Sequence, residues 1–292
     1  MSNEQYISLN GIKHKASDGV LSTSNRAFRY GDALFETVRC IHQEAAYFHD
    51  HYQRLINGMS LLRMELKTLP PADVIKQQIR SLIQKNRLFG DVRVRLTIFR
   101  EDGGLYTPAT NKVNLLIETS SLSSDGYQLN PKGLLVDIFE GEHKAINRFS
   151  HYKTANALLF VLAGLDKKEK GRDDMLILNS NKQIIEGLAS NLFWIKDDIV
   201  YTPYRSTGCV DGIMRKQLLR IMKENGWCFF EVGGTDYSTL LKADEIFLSN
   251  AIQGIQWVVG LKEKRYFCKK TKELSRLLNQ DVVNYMKDSQ EN

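Results

Sequence analysis

Four separated segments of this sequence carry the side chains best suited to chemistry. One of them contains a lysine, Lys153, shortly before an apolar stretch, and another contains a glutamate, Glu186, followed directly by glycine. A helix is predicted from Gly212, after a glycine-bounded loop, so the N–H groups of its first turn lack partners within the helix and can receive a dianion. The segments are Arg26–Arg39 with His51–Leu55, His151–Asn156, Glu186–Phe193, and Thr202–Pro203 with Gly208–Arg215 and Ser249–Ala251.

In this order the segments resemble the class IV aminotransferase family, whose members depend on pyridoxal 5'-phosphate (PLP). The family contains branched-chain and D-amino-acid aminotransferases and 4-amino-4-deoxychorismate lyase. The resemblance covers roughly residues 5–260. It implies an α+β, two-domain enzyme of fold type IV, similar to D-amino-acid aminotransferase, that acts on a small amino substrate.

A PLP enzyme must supply three groups, and the resemblance assigns each of them. The cofactor needs an amine that forms an imine, an acid beside the pyridine nitrogen and a cradle for the phosphate. Lys153 is the implied amine, and after the substrate displaces it, it can move the proton on the substrate's Cα. Glu186 is the implied acid, because a nearby carboxylate favours the protonated ring nitrogen. Arg54 is the implied guanidinium partner of the phosphate.

Five further residues complete the expected cofactor site. Ser190 and Asn191 are expected to support the ring and the phosphate, although a role in stabilising a turn is the open alternative. Backbone groups of Ile213 and Met214 are expected to bind the phosphate at the helix start. Asn250 is also expected to bind the cofactor.

The substrate side of the pocket has four candidates. Tyr30 and Tyr106 are expected to contact the substrate, and Arg100 or Arg148 is the expected partner of a substrate carboxylate. A buried structural tyrosine or a strand-end arginine is the alternative at each position. In this family the loop near Tyr106 reaches the site of the neighbouring subunit, so the resemblance also implies a homodimer.

Departures from the branched-chain enzymes favour the lyase reaction. Arg100–Pro108 resembles the lyase's Arg-x-x-Gly-Gly-x-x-Tyr loop, shortened by one residue. Gly-Ile-Met-Arg stands where branched-chain enzymes usually have Gly-Ile-Thr-Arg, and Asn250-Ala251 stands where they carry Gly-Thr. The lyase eliminates pyruvate from aminodeoxychorismate and leaves 4-aminobenzoate. An amino-acid aminotransferase is the main alternative, and a non-catalytic binding protein is a more distant one.

Other kinds of site find little support in the sequence. His49 and His51 lie two residues apart without a third ligand nearby, so no metal site is predicted. No GxGxxG or Walker-type loop is present, which argues against nucleotide binding by those routes. The four cysteines lie far apart without a CxxC pair, so neither a zinc site nor a disulfide framework is expected.

The first half of the chain alternates strand and helix patterns. Tyr6–Leu9 and Leu34–Ile41 are predicted strands, and Asp50 is predicted to cap an amphipathic helix. Pro71 opens a second predicted helix. The apolar face of this second helix is expected to hold Val74, Ile75, Ile79, Leu82 and Ile83. In Asp91–Arg100 apolar and polar residues alternate, which predicts a half-buried strand.

A polar, turn-rich stretch at residues 121–131 is the predicted linker between two domains. An N-terminal α/β domain would cover residues 1–120, and a C-terminal α/β domain with the PLP lysine would cover residues 132–292. The mixed order of strands and helices indicates α+β domains rather than a doubly wound sheet. The elements predicted after the linker are strands at Leu134–Phe139, Met175–Leu178, Leu192–Ile195, Ile199–Tyr201 and Asp244–Leu248, and helices at Asn156–Lys170, Gly212–Glu224 and Lys270–Lys287.

Composition is that of a globular protein, with 42% hydrophobic and 25% charged residues in a chain of 292. The longest apolar run, Ala157–Leu165, is far shorter than the roughly 18 residues of a membrane span. The N-terminal sequence does not resemble a signal peptide, so a cytoplasmic location is expected. The net charge is +6, but Lys and Arg are spread along the chain, which favours an anionic small ligand over nucleic acid.

Overall fold

The computed structural model describes residues 4–291, which divide into two compact units. The N-terminal unit is the chain up to Gly126 together with Tyr152–Asn156. The C-terminal unit is Tyr127–His151 together with the chain from Ala157 onward. The first boundary therefore falls inside the predicted linker. Lys153, in contrast, lies in a short segment that groups with the N-terminal unit and not with the domain expected to carry it.

The N-terminal unit is a six-stranded antiparallel sheet in the order β2-β1-β6-β5-β3-β4. Its strands are β1 (Tyr6–Leu9), β2 (Ile12–Lys15), β3 (Ala33–Ile41), β4 (Glu44–Ala45), β5 (Val92–Arg100) and β6 (Val113–Ser121). Its helices are α1 (Arg26–Tyr30), α2 (Phe48–Leu61) and α3 (Ala72–Lys85). The central strand β5 buries Val92, Val94, Leu96 and Ile98, which confirms the predicted alternation.

Both helices that pack on this sheet begin close to the predicted positions, with two corrections. The N-cap of α2 is Tyr47, so Asp50 lies in the first helical turn and the prediction that it caps the helix is wrong. In α3, Ile75, Ile79, Leu82 and Ile83 are buried as predicted, but Val74 is exposed. Val74 lies one residue outside the stripe that a 3.6-residue period directs toward the sheet.

The lysine-bearing segment joins the N-terminal unit because it pairs with the edge of β3. The Phe35 N–H donates to the Lys153 carbonyl over 2.8 Å, and the Ala155 N–H donates to the Ala33 carbonyl over 3.0 Å. β4 pairs with β3 only at Cys40 and Ile41, at the other end of the strand. Tyr152–Asn156 thus supplies partners to β3 backbone groups that β4 does not reach.

The C-terminal unit contains a nine-stranded sheet in the order β12-β11-β10-β13-β14-β7-β8-β9, with β15 paired to β14. Its strands are β7 (Leu134–Lys144), β8 (Asp174–Asn179), β9 (Ile184–Gly187), β10 (Asn191–Lys196), β11 (Ile199–Pro203), β12 (Phe229–Val232), β13 (Glu245–Asn250), β14 (Gly254–Leu261) and β15 (Lys264–Arg265). Its helices are α4 (Leu158–Glu169), α5 (Ile213–Glu224), α6 (Tyr237–Lys242) and α7 (Lys270–Glu291). A further pairing of β9 with β10 closes part of the sheet into a ring.

The core of this unit fills the ring and the spaces under its helices. Leu192, Ile246, Leu248 and Val258 belong to one buried cluster of the ring strands. The apolar period of helix α7 predicts an inner face of Leu274, Leu277, Leu278 and Val282. Leu274, Leu278 and Val282 are buried, and Leu277 is half-buried. Helix α4 differs, because within it only Ala163 is buried. None of the helices in the described part of the chain is both long and apolar enough to span a bilayer.

Candidate functional site

Lys153 lies in a pocket of the N-terminal unit. The pocket is lined by Leu34, Phe35, Glu36, Arg54, Leu55, Tyr152 and Lys153. The Lys153 Nζ is 5.0 Å from the centre of the Phe35 ring. Backbone bonds at Lys153 and Ala155 fix this segment along β3, and the Asn156 side-chain amide donates to the Gly31 carbonyl over 3.3 Å. A lysine held by its backbone in this way presents a flexible amine from a fixed position.

Arg54 also lines the pocket, where it is hydrogen-bonded to the buried carboxylate of Glu36. Its Nε donates to Glu36 Oε1 over 2.7 Å, and its Nη2 donates to Glu36 Oε2 over 2.5 Å. Glu36 Oε2 also accepts from His51 Nδ1 over 2.7 Å. The carboxylate therefore orients the guanidinium through two parallel bonds, a geometry that a lysine cannot reproduce.

Charge in this cluster is set by burial and by close partners. Burial alone would raise the pKa of Glu36, but the positive charge and hydrogen bonds of Arg54 and the bond from His51 lower it to about 2. Burial lowers the pKa of His51 below its usual value, despite the opposing contact with Glu36. At neutral pH the cluster thus holds an ionised carboxylate, a neutral imidazole and a cationic guanidinium.

One face of α2 presents these residues to β3. His51, Arg54, Leu55 and Gly58 follow a spacing of three and four residues, so they lie along one side of the helix. A Cβ atom at Gly58 would lie 2.8 Å from Leu34 Cδ1 and 3.2 Å from Tyr152 Cδ1. Glycine at this position therefore lets the helix approach the strand closely enough for Arg54 to reach Glu36.

Glu186 lies on the short strand β9 of the C-terminal unit, where it is almost fully buried. Its Oε1 accepts from Lys144 Nζ over 2.5 Å, and its Oε2 accepts from the Val210 N–H over 2.8 Å. Lys144 is the last residue of β7. A buried acid with a charged partner on one oxygen and a backbone donor on the other is held in a defined plane.

The loop before α5 is fixed by Asn191. Its side-chain amide donates to the Val210 carbonyl over 2.8 Å. A Cβ atom at Gly212 would overlap Asn191 Oδ1, so only glycine permits this approach. Gly212 occupies the N-cap position and offers no side chain to the first turn of α5, which carries Ile213 and Met214. The backbone N–H groups of this turn are therefore suited to an anion.

Ser190 and Asn250 have contacts of the turn-stabilising kind. The Ser190 hydroxyl donates to Asp174 Oδ2 over 3.3 Å, and the Ser190 carbonyl accepts from the Gly187 N–H over 2.8 Å. Asn250 Oδ1 accepts from the N–H groups of Ile252 and Gln253 over 3.0 and 2.8 Å. Both side chains thus shape the backbone near the ends of β9 and β13.

The four candidate substrate residues occupy different environments. Tyr106 is 91% exposed, and its ring centre lies 5.6 Å from that of the half-buried Tyr30. Arg100 is buried, with bonds to Asp32, Asn111 and the Leu62 carbonyl, all within its own unit. These contacts favour a structural role for Arg100. Arg148 lies exposed in the turn that follows β7.

Glu36, His51 and Lys144 take part in these clusters, although no role in the site was predicted for them from the sequence. A weak signal existed for His51, which lies three residues before Arg54 on the same helix face. Lys144 and Glu186 are 42 residues apart, and no local pattern predicts their contact. Within residues 4–291, no group of three or more His, Cys, Asp or Glu side chains is arranged to hold a metal ion.

Comparison with known proteins gives consistent matches over most of the chain. A family model described as "Amino-transferase class IV" matches residues 33–260. An aminodeoxychorismate lyase from Bacillus subtilis (strain 168) is 27% identical over 264 residues, which are 89% of this chain and 88% of the relative. A branched-chain-amino-acid aminotransferase from Escherichia coli (strain K12) is 28% identical over 255 residues, which are 84% of this chain and 81% of the relative.

A solved structure has a similar fold. The branched-chain amino acid aminotransferase from Thermobaculum terrenum in its PLP form matches with a TM-score of 0.83 and 19% sequence identity. The match covers 97% of this chain and 95% of that chain. This likeness confirms the predicted fold class.

Proposed function

The chain belongs to the class IV aminotransferase family, and from this premise we propose that it is a PLP-dependent enzyme of amine chemistry whose cofactor is bonded to Lys153. The observation that carries the proposal is the placement of this lysine. Its backbone is fixed along β3, and its amine shares a pocket with the guanidinium of Arg54. An amine with a phosphate-binding cation in the same pocket is the pairing that PLP requires.

Other residues of each unit have side chains or backbone groups whose chemistry suits this cofactor. Arg54 would bind the phosphate, because Glu36 holds its guanidinium in a fixed plane. The N–H groups of Ile213 and Met214 would receive phosphate oxygens at the start of α5. Glu186 is a buried carboxylate that would hold the proton on the ring nitrogen. Ser190, Asn191 and Asn250 would act indirectly, by fixing the backbone around these groups.

Each residue has a defined task in the proposed reaction. When bound, PLP supplies an electron sink that stabilises negative charge at the substrate's Cα. Lys153, once the substrate has displaced it, takes the proton from that carbon as a neutral amine. Tyr30 and Tyr106 are proposed contacts of the substrate, and Arg148 is the exposed candidate for its carboxylate.

The cofactor assignment has a direct spectroscopic test. Purified protein incubated with PLP should show the visible absorption of a lysine-bound cofactor, and borohydride should fix the label on Lys153 in a peptide mass map. Lys153→Ala should lose both signals. A matched control is Lys196→Ala, because this lysine lies on the surface in contact with Asp197 and Asp244. A wild-type protein that stays colourless would overturn the proposal and leave a non-catalytic binding protein.

We further propose that the reaction is the elimination of pyruvate from aminodeoxychorismate, which yields 4-aminobenzoate. The supporting observation lies at the end of β13. The side-chain oxygen of Asn250 accepts two backbone hydrogen bonds within a turn. Ala251 has no hydroxyl at the position where branched-chain enzymes carry threonine. Backbone groups would then bind the phosphate at this position. The 27% identity to the Bacillus subtilis lyase agrees with this assignment.

An amino-acid aminotransferase is the second candidate, supported by the 28% identity to the Escherichia coli branched-chain enzyme. One substrate panel separates the two. The loaded protein should release 4-aminobenzoate from aminodeoxychorismate, and Lys153→Ala should not. L-leucine, L-glutamate and D-alanine, each with keto acids, test the alternative. Product from the amino acids and none from aminodeoxychorismate would contradict the lyase assignment.

A homodimer is the proposed assembly, and helix α4 is its proposed contact. Leu158, Val161, Leu162 and Leu165 are all exposed on this helix. Their spacing of three and four residues places them on one stripe. An exposed apolar stripe of this kind marks a site of protein association. The expected cytoplasmic location remains a prediction from the sequence.

A further inference from the structure

Lys144 is the side chain that touches the proposed acid, Glu186. Its Nζ lies 2.5 Å from Glu186 Oε1 and donates to the Ser150 carbonyl over 3.1 Å. The Phe160 ring centre is 5.6 Å from the same amine. The side chain of Lys144 is 12% exposed and that of Glu186 is 3% exposed. This is a buried ion pair, and it differs in kind from the exposed lysine pairs elsewhere on the chain.

A tight turn fixes the position of Lys144. β7 ends at this lysine, and the Ser150 hydroxyl donates to the Ala145 carbonyl and accepts from the Asn147 N–H. These bonds close the turn that follows the strand and aim the Ser150 carbonyl at the lysine amine. The amine therefore has two acceptors, a carbonyl and a carboxylate, in a fixed arrangement.

Breaking a buried ion pair at one end is costly. Removing one partner leaves an uncompensated charge in a medium of low polarity, and the remaining group responds by moving or by losing its charge. For Glu186 this means rotation about its side chain. A rotated carboxylate cannot hold the proton on a ring nitrogen, because the opposite charge that stabilises the cation no longer lies beside it.

We propose that Lys144 is a positioning residue, which keeps the carboxylate of Glu186 oriented toward the ring nitrogen of the cofactor. This inference rests on the proposed function, since it concerns the acid assigned to PLP. Each oxygen of the Glu186 carboxylate has its own hydrogen-bond partner. Lys144 holds one oxygen, the Val210 N–H holds the other, and each oxygen keeps a second lone pair for the ring.

The test uses PLP labelled with ¹⁵N in the ring, bound to the full-length protein. Wild type and Lys144→Arg should show the ¹⁵N signal of a protonated ring at neutral pH. In Lys144→Met the signal should move toward that of a neutral pyridine, and the dissociation constant of PLP should rise about tenfold. Lys196→Met is the matched control, because that lysine also pairs with carboxylates but is exposed. It should behave as wild type.

Three outcomes overturn the inference or separate it from the proposed function. An unchanged ¹⁵N signal in Lys144→Met, with covalent label still on Lys153, would refute the role of Lys144 alone. A further change on adding Lys144→Met to Glu186→Gln would show that the lysine does not act through the glutamate. If wild type itself fails to bind PLP at Lys153, the proposed function fails instead. Should Lys144→Met not fold, Lys144→Gln carries the same comparison.

Discussion

Arg54 is oriented by the protein before any ligand reaches it. Glu36 binds its Nε and Nη2 in parallel, and His51 fixes the same carboxylate. The guanidinium would therefore lose little further freedom on binding the proposed phosphate, which favours tight binding. A lysine at this position would keep the positive charge but would lack the parallel N–H donors of the guanidinium.

Arg54→Lys should for that reason weaken PLP binding about tenfold or more, the value of a lost charge-assisted hydrogen bond. The binding of pyridoxal, which lacks the phosphate, should change little. Fluorescence titration with both compounds gives the ratio. Arg80→Lys is a suitable control, because Arg80 lies on α3 and pairs with Glu44, and neither residue lines the pocket of Arg54. Equal losses for PLP and pyridoxal would contradict the phosphate role of Arg54.

The same buried cluster should make the protein sensitive to acid. The pKa of Glu36 is lowered to about 2 from its usual 4.5, so its ionised form stabilises the fold above pH 4.5, and this stability is lost as the pH falls toward 2. The pKa of His51 is lowered below its usual 6.5, so the unfolded chain binds a proton there first and stability already falls as the pH drops below 6.5.

We therefore expect the free energy of unfolding to decrease from pH 7 to pH 3, with Glu36 contributing on the order of 2 kcal/mol over this range. Urea unfolding at each pH measures this dependence. In Glu36→Gln the curve should flatten below pH 4.5, whatever its absolute height. Curves of equal slope for the variant and wild type would show that this carboxylate is not responsible.

At the level of elements, the sequence predicts most strands and helices because each carries its own period. β5 has a long alternating pattern, and its bounds agree with the prediction within one residue. α3 begins within one residue of the predicted start at Pro71, but it ends at Lys85, several residues before Gly90, which was expected to follow its end directly. β9 was not predicted, since four residues that are all buried have no alternation to detect. Glu186 lies on this strand, so its chemistry was predicted while its structural setting was not.

The features that the sequence does not predict depend on contacts between residues that are distant along the chain. The pairing of Tyr152–Asn156 with the edge of β3 depends on which backbone groups β4 leaves open, and sequence periodicity does not contain that information. The pairing of Lys144 with Glu186 depends on the neighbouring positions of β7 and β9 around β8. Residue types thus indicate the site, and the sheet topology decides which charges meet.

The loop before α5 allows a test of how Gly212 positions the first turn of this helix. Gly212 has φ −70° and ψ 134°, which any residue can adopt, so glycine is required there only by the closeness of Asn191. Gly212→Ala should displace the first turn and weaken PLP binding. Combining it with Asn191→Ala should relieve the overlap without restoring the bond to Val210.

Gly164→Ala is the matched control for this substitution, because a Cβ atom at Gly164 meets no atom within 4 Å. Gly164 lies inside α4, where alanine should raise stability by about 1 kcal/mol through its helix propensity. Thermal unfolding and PLP titration of the three variants measure both effects. Unchanged PLP binding in Gly212→Ala would show that the α5 start does not contribute to the phosphate site.

For the whole molecule, the unexplained feature is the apolar surface of α4. A helix of a monomeric protein usually buries its apolar stripe, yet α4 buries only Ala163 and exposes the leucines and valine on the opposite side. A second copy of the chain would provide a partner for this stripe that is always present at equal concentration. A two-fold contact would place the same stripe on both sides of the interface.

Val161→Glu should therefore convert a dimer into a monomer, because it places a charge in the centre of this stripe. Light scattering after gel filtration should give twice the chain mass of 33.5 kDa for wild type and the chain mass for the variant. Val283→Glu is a close control, since Val283 on α7 is 53% exposed and Val161 is 54% exposed. It should leave the dimer intact. A wild-type protein of the chain mass would rule out the assembly, and a dimer that survives Val161→Glu would place the contact on another surface.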